Sequence, residues 1–241
     1  MKISKGKQFA ITLAAFLVLG ISFKVMVLID GLTEVRPVNA IAPVAGLLCG
    51  WVGALACALG NLLADMTGTL SPVSILGVIG NFVAAYLPYR LWYMLSDRKL
   101  PGERPNLHSG RNILRYIVIS LIAAMTVAWI LSFGMYLFWG IWIEKMCVYI
   151  FWNNLGFSIG LGMPLLIILT SKGIHVESCA PPRKYLLLRK AAVCRIVCMG
   201  YLCLLLLLTA SVLFGHLDPA VEFWMKPISA LALAGLIGLL V

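Results

Sequence analysis

The sequence predicts an all-α fold, a polytopic bundle of transmembrane helices, on three observations. First, 62% of its 241 residues are hydrophobic and the mean hydropathy is +1.00. A soluble globular chain runs at roughly 45–50% apolar. Second, several apolar runs reach or exceed the roughly 18 residues that mark a transmembrane helix. Third, the Lys and Arg residues behind the formal net charge of +10 lie mostly in the segments between those runs. That placement points to a membrane surface and away from nucleic acid as the partner. No polar stretch is long enough for a separate soluble domain; the longest are Ser96–Asn112 and Ser171–Lys190.

The N-terminal stretch MKISKGKQFAITLAAFLVLG has the basic start and apolar core of a signal peptide. No polar mature domain follows it, and no convincing small-x-small cleavage site precedes the next apolar run. It reads as a retained first helix, Phe9–Ile29.

The next apolar segment, Ala40–Met66, is interrupted by Pro43 and several glycines. Charge decides how it runs. Lys2, Lys5 and Lys7 put the N-terminus on the cytoplasmic side. The loops after Leu95 and after Thr170 are both rich in Arg and Lys and belong on that side too. A single crossing over Ala40–Met66 would put the first of these loops outside. A fold-back near Cys49–Gly53 makes two short crossings, Ala40–Cys49 and Trp51–Met66, and puts both loops inside. Fifteen of the nineteen Lys and Arg then face inward, all but Lys24, Arg36, Lys145 and Lys226. Arms this short need cover from neighbouring helices.

Further crossings follow at Pro72–Leu95, Ile113–Trp139 and Cys147–Thr170. These complete a six-crossing core over residues 1–170. Residues 171–241 hold the second basic inner loop and a C-terminal pair, Ala192–Phe214 and the 14-residue run Ile228–Val241, which is short for a span. Both termini fall inside.

In this topology the acidic and amide residues collect at the outer side. Asp30, Glu34, Arg36 and Asn39 lie in the first outer loop, and Asn61, Asp65 and Thr67 at the outer end of the third crossing. Asn61 and Asp65 are four residues apart, so they share a helix face. Asn81 sits about nine residues, roughly 13 Å, into the fourth crossing. Asn153 and Asn154 lie one to two turns into the sixth. Amides and carboxylates within a membrane are costly unless paired or facing water. Two readings stand: a pocket open to the outside, and interhelical glue in which the amides bond to one another and Arg36 pairs with Asp65. Tyr136, Trp139, Trp142, Tyr149 and Trp152 gather at the outer boundary, as an interfacial belt or as stacking surfaces for a flat ligand.

Catalytic signatures are missing. The chain has no H-E-x-x-H, no G-x-S-x-G and no G-x-x-x-x-G-K-[ST], so no P-loop powers it. No catalytic, metal or cofactor set emerges. The seven cysteines form no C-x-x-C pair and read as small apolar packing residues.

One stretch, EVRPVNAIAPVAGLLCGWVGALACALGNLLADMTGTLSPVSILGVIGNFVAAYLPYRLW, covers residues 34–92. Its features are Arg36-Pro37, a Gly-rich hairpin, Gly60-Asn61 with Asp65, the Gly68-Thr69 turn, and Gly80-Asn81 before YLPYRLW. It resembles the substrate-binding (S) components of energy-coupling factor (ECF) micronutrient transporters. The resemblance implies a six-helix protein of a bacterial or archaeal cell membrane. It implies an outward site for a vitamin-like small molecule, with Arg36, Asn39, Asn61, Asp65, Asn81 and Asn153 as the binding set here, and no catalysis. It also implies docking on a transmembrane coupling protein that carries two ATP-binding cassette ATPases, with toppling of the S component during transport. In that family an A-x-x-x-A motif on the first helix contacts the coupling protein, and Ala10 and Ala14 fit it. The segment Ala192–Val241 adds a helix pair to the family pattern. Two other functions compete: a small lipid-modifying enzyme using Asp65 and Arg36, and a membrane sensor or structural module.

Overall fold

A computed structural model describes residues 3–29, 33–95, 105–141, 144–172, 196–197, 199–206 and 219–240. Most of both basic loops, together with Asp30 and Trp142, lies outside the described residues.

Helix α1, Lys5–Ser22, opens on Ser4, whose hydroxyl accepts from the Lys7 N–H as an N-cap. It begins before the expected Phe9 and stops well short of Ile29. After a turn, the last three residues of that apolar run form strand β1, Val27–Ile29, which pairs antiparallel with β2, Thr33–Glu34. Val27 and Ile29 are β-branched and suit a pleated strand, while hydropathy alone does not separate a strand from a last helical turn.

The ribbon leads into Arg36, whose backbone (φ −119°, ψ +79°) stays out of the helical region that a following proline disfavours, and then into a 3-10 turn, Pro37–Ala40. Helices α2, Ile41–Cys49, and α3, Trp51–Met66, meet at Gly50, whose φ of +61° is a conformation that favours glycine. The reversal falls inside the expected Cys49–Gly53 stretch, and the two arms pack on each other. Gly53 lies so close to α2 that a Cβ there would meet the Ala45 carbonyl oxygen.

Helix α3 lies against both α1 and α4, Ser74–Met94, and α4 also takes up α2. Helix α5, Gly110–Trp139, packs on α4 and ends at the left-handed Gly140, whose N–H reaches back to the Met135 and Tyr136 carbonyls. Helix α6, Glu144–Phe157, continues through a π-helical turn, Ser158–Gly162, into α7, Met163–Ser171. Tyr116 of α5 donates its hydroxyl to the Ser158 carbonyl at that turn, 2.9 Å away.

The last helix, α8, Pro219–Leu240, has 22 residues where the sequence predicts a 14-residue run from Ile228. The helix runs through Pro227, just before that expected start. Residues 199–206 are helical as well. Tyr201 and Leu205 join Leu236 and Leu239 in a core with Leu87, Leu91, Trp92, Tyr116 and Ile119. Polar contacts help fasten this C-terminal region: Thr126 Oγ1 lies 3.1 Å from Tyr201 OH, and Arg90 Nε donates to the Leu239 carbonyl at 3.5 Å.

Among the described residues, three helices are long and apolar enough to cross a membrane: Lys5–Ser22, Gly110–Trp139 and Met146–Ser171. Pro37–Cys49, Trp51–Met66 and Pro227–Leu240 are shorter apolar helices.

Candidate functional site

Helix α3 carries the centre of the site because both of its neighbours press on it. Asn61 is 1% exposed and Asp65 5%, one turn apart on the same face. Asn61 Nδ2 donates to Asp65 Oδ2 at 3.0 Å. Room for the Asn61 amide comes from Gly77 on α4, where a Cβ would stand 2.7 Å from Asn61 Nδ2. One turn further along α4, Asn81 Nδ2 donates twice, to the Gly77 carbonyl at 2.9 Å and to Asn61 Oδ1 at 3.0 Å. Both acceptors are carbonyl oxygens, which sets the orientation of the Asn81 amide.

Arg36 reaches the same point from the ribbon side. Its Nη1 donates to Asn61 Oδ1 at 3.0 Å and its Nη2 to Asp65 Oδ1 at 3.3 Å. The pair is unequal: the Asp65 side chain is 8% exposed and that of Arg36 25%. A carboxylate buried this far needs its counter-ion, since removing one partner of a buried pair leaves an uncompensated charge. From α6, Asn153 Oδ1 accepts the Arg36 backbone N–H at 3.0 Å. Four chain segments therefore meet in one hydrogen-bonded group.

The other expected residues divide. Asn39 is buried on the 3-10 turn, with its N–H on the Arg36 carbonyl, and so stands beside the group. Asn154 turns away and donates to the Ile150 carbonyl of its own helix. Thr67 bonds back to Ala64. Ala10 and Ala14 are exposed on α1, on the side away from its buried residues Gln8, Thr12 and Phe16. Trp139, Tyr149 and Trp152 are also exposed.

Two features escape a reading of the sequence. Lys24 Nζ donates to Thr69 Oγ1 at 2.9 Å, tying the end of α1 to the turn after α3. The Gly77 opening is the other; its only signal is a glycine four residues before an asparagine in an apolar helix.

Chemically, the group offers a carboxylate, three amides and a guanidinium, suited to hydrogen-bonding a small polar molecule. Among the described residues, no three His, Cys, Asp or Glu side chains converge as a metal site would need. Compared with family models, curated proteins and solved structures, the chain matches none.

Proposed function

We propose that this chain is a membrane-embedded substrate-binding component for uptake of a vitamin-like or other small polar micronutrient, driven by a separate ATPase module. One observation carries the reading: Arg36, Asn61, Asp65, Asn81 and Asn153 converge from four segments onto one point among apolar helices. The resemblance of residues 34–92 to S components adds to it. The proposal includes six crossings, a cytoplasmic N-terminus, a bacterial or archaeal cell membrane, and no catalysis by the chain itself.

Topology is tested by labelling. With native cysteines removed, Thr69→Cys reacts with an impermeant maleimide added to whole cells, and Trp51→Cys does not. Reaction of Thr69→Cys from the cytoplasmic side alone overturns the fold-back orientation.

Partnership is tested on the exposed side of α1. The wild-type protein copurifies from native membranes with a transmembrane coupling subunit and two ATPases. Ala10→Trp and Ala14→Trp lose them and keep any bound small molecule, because bulk on a small-residue face prevents close helix approach. Unchanged copurification in both variants means that this face does not dock the partner.

A second reading has one observation in its favour: Asn61 is bonded to Asp65, to Asn81 and to Arg36, and Arg36 also to Asp65. Such a group can serve purely as a clasp holding the Arg36 segment on α3. The two readings part at Asn81→Ala. Losing one hydrogen-bond partner in a buried site costs about 1–3 kcal/mol, which is roughly a five- to 150-fold loss of ligand affinity for a binding site. For a clasp it changes stability alone.

A further inference from the structure

We propose that Arg36 is a tethered plug in a receptor for a planar cation. The ligand then belongs to the small molecules that carry a guanidinium, an amidinium or a protonated amino-heterocycle. This deepens the binding-site reading and rests on it.

The receptor is visible in what holds the Arg36 fork. Two terminal nitrogens of one guanidinium meet two acceptors on one helix face, Asn61 Oδ1 at 3.0 Å and Asp65 Oδ1 at 3.3 Å. Behind them a second row of bonds aims both acceptors at the fork. Asn81 Nδ2 holds Asn61 Oδ1 and is itself anchored on the Gly77 carbonyl, while Asn61 Nδ2 holds Asp65 Oδ2. Those amide donors are turned inward, toward the protein's own oxygens. Once the Arg36 side chain leaves, the face left behind is an amide oxygen beside a carboxylate oxygen, with one negative charge. Paired N–H donors on a planar cation match such a face in geometry and sign.

Burial sets the sign of the ligand. Asn61 and Asp65 are almost completely enclosed, so an uncompensated Asp65 carboxylate is disfavoured there. An anion drawn to Arg36 would sit against Asp65 and meet a like charge. A neutral ligand would displace the guanidinium without replacing its charge. A cation does both.

Arg36 is also built to leave. It is the most exposed of the ion pair, with its side chain 25% accessible. Its backbone is held separately, through the Arg36 N–H on Asn153 Oδ1 and the 3-10 turn that begins at Pro37. The side chain can swing toward water while the segment stays in place.

Chemical rescue tests this. Purified Arg36→Ala in detergent is melted with millimolar methylguanidinium chloride, with methylurea as the neutral isostere, and with sodium chloride at equal ionic strength. Arg36→Gln is run in parallel in case the alanine variant is not monodisperse. At about ten times its dissociation constant the cation raises the melting temperature by roughly 3–6 °C. Methylurea and sodium chloride do not, and the double variant with Asp65→Asn does not respond. Equal effects of cation and isostere, or an undiminished response in the double variant, overturn the plug. The outcomes separate from the uptake reading. A copurified anionic or neutral ligand whose affinity is unchanged by Asp65→Asn leaves uptake standing and overturns the cation receptor. Cation-selective rescue in a protein that carries no ligand and no partner does the reverse.

Discussion

Gly46→Ala lowers the melting temperature of the purified protein by roughly 6–12 °C. Gly46 is where α2 lies against α4 most closely. A Cβ built there runs into the Ala85 carbonyl oxygen and stands 2.6 Å from the Ala85 carbonyl carbon. Both are backbone atoms of a helix interior, so no rotamer change makes room. The helices must separate, and Val44 and Leu47 on α2, both buried, must give up part of their packing. Overpacking a core costs up to about 3 kcal/mol, and this position belongs at that upper end. In a chain of this size each kcal/mol moves the melting temperature by roughly 2–4 °C. Gly156→Ala is the control, since a Cβ there meets nothing within 4 Å. Thermal unfolding of both variants in the same detergent checks the difference. Equal melting temperatures would mean that α2 and α4 do not approach as described.

Asn61→Ala has the second large effect, because Asn61 is the node of the polar group. Its side chain accepts from Arg36 and from Asn81 and donates to Asp65. Alanine removes all three bonds and leaves an Asn81 N–H and an Asp65 oxygen buried without that partner. Each orphaned group costs about 1–3 kcal/mol, so stability falls by about 2–6 kcal/mol and the melting temperature by roughly 4–24 °C. Ligand affinity falls at least as far as in Asn81→Ala. A double-mutant cycle with Arg36→Ala separates the terms. Residues in one hydrogen-bond network couple by about 0.5–3 kcal/mol, whereas additive losses would mean that the Arg36–Asn61 bond contributes little.

Much of this arrangement is legible in the sequence because it follows from periodicity and charge. The i, i+4 spacing puts Asn61 and Asp65 on one face. The placement of Lys and Arg calls for a reversal inside Ala40–Met66, and Gly50 supplies it with its positive φ. What is not legible depends on neighbours. Val27–Ile29 is as apolar as the helix before it, and only its pairing with Thr33–Glu34 makes it a strand. Pro227 punctuates the sequence, yet α8 runs through it. Asn153 and Asn154 look equivalent in sequence. The helix turns one to the Arg36 backbone and the other to its own Ile150 carbonyl. A glycine announces space without saying whose, so Gly46 and Gly77 acquire meaning only when Ala85 and Asn61 stand opposite them. Sequence places the amides at a similar depth. Only the packed helices show that they close on one another around the Arg36 fork.

The most direct test of the proposed function is native mass spectrometry of the wild-type protein, released from gentle detergent after expression in rich medium. The proposed function predicts one small polar molecule per chain, released on activation. It predicts that the same molecule is lost or strongly depleted in Asp65→Asn and Asn81→Ala, while both variants remain monodisperse. A wild-type protein that carries no such molecule and gains no mass from a pool of vitamins and related micronutrients contradicts it, as does a molecule held equally by the wild type and both variants.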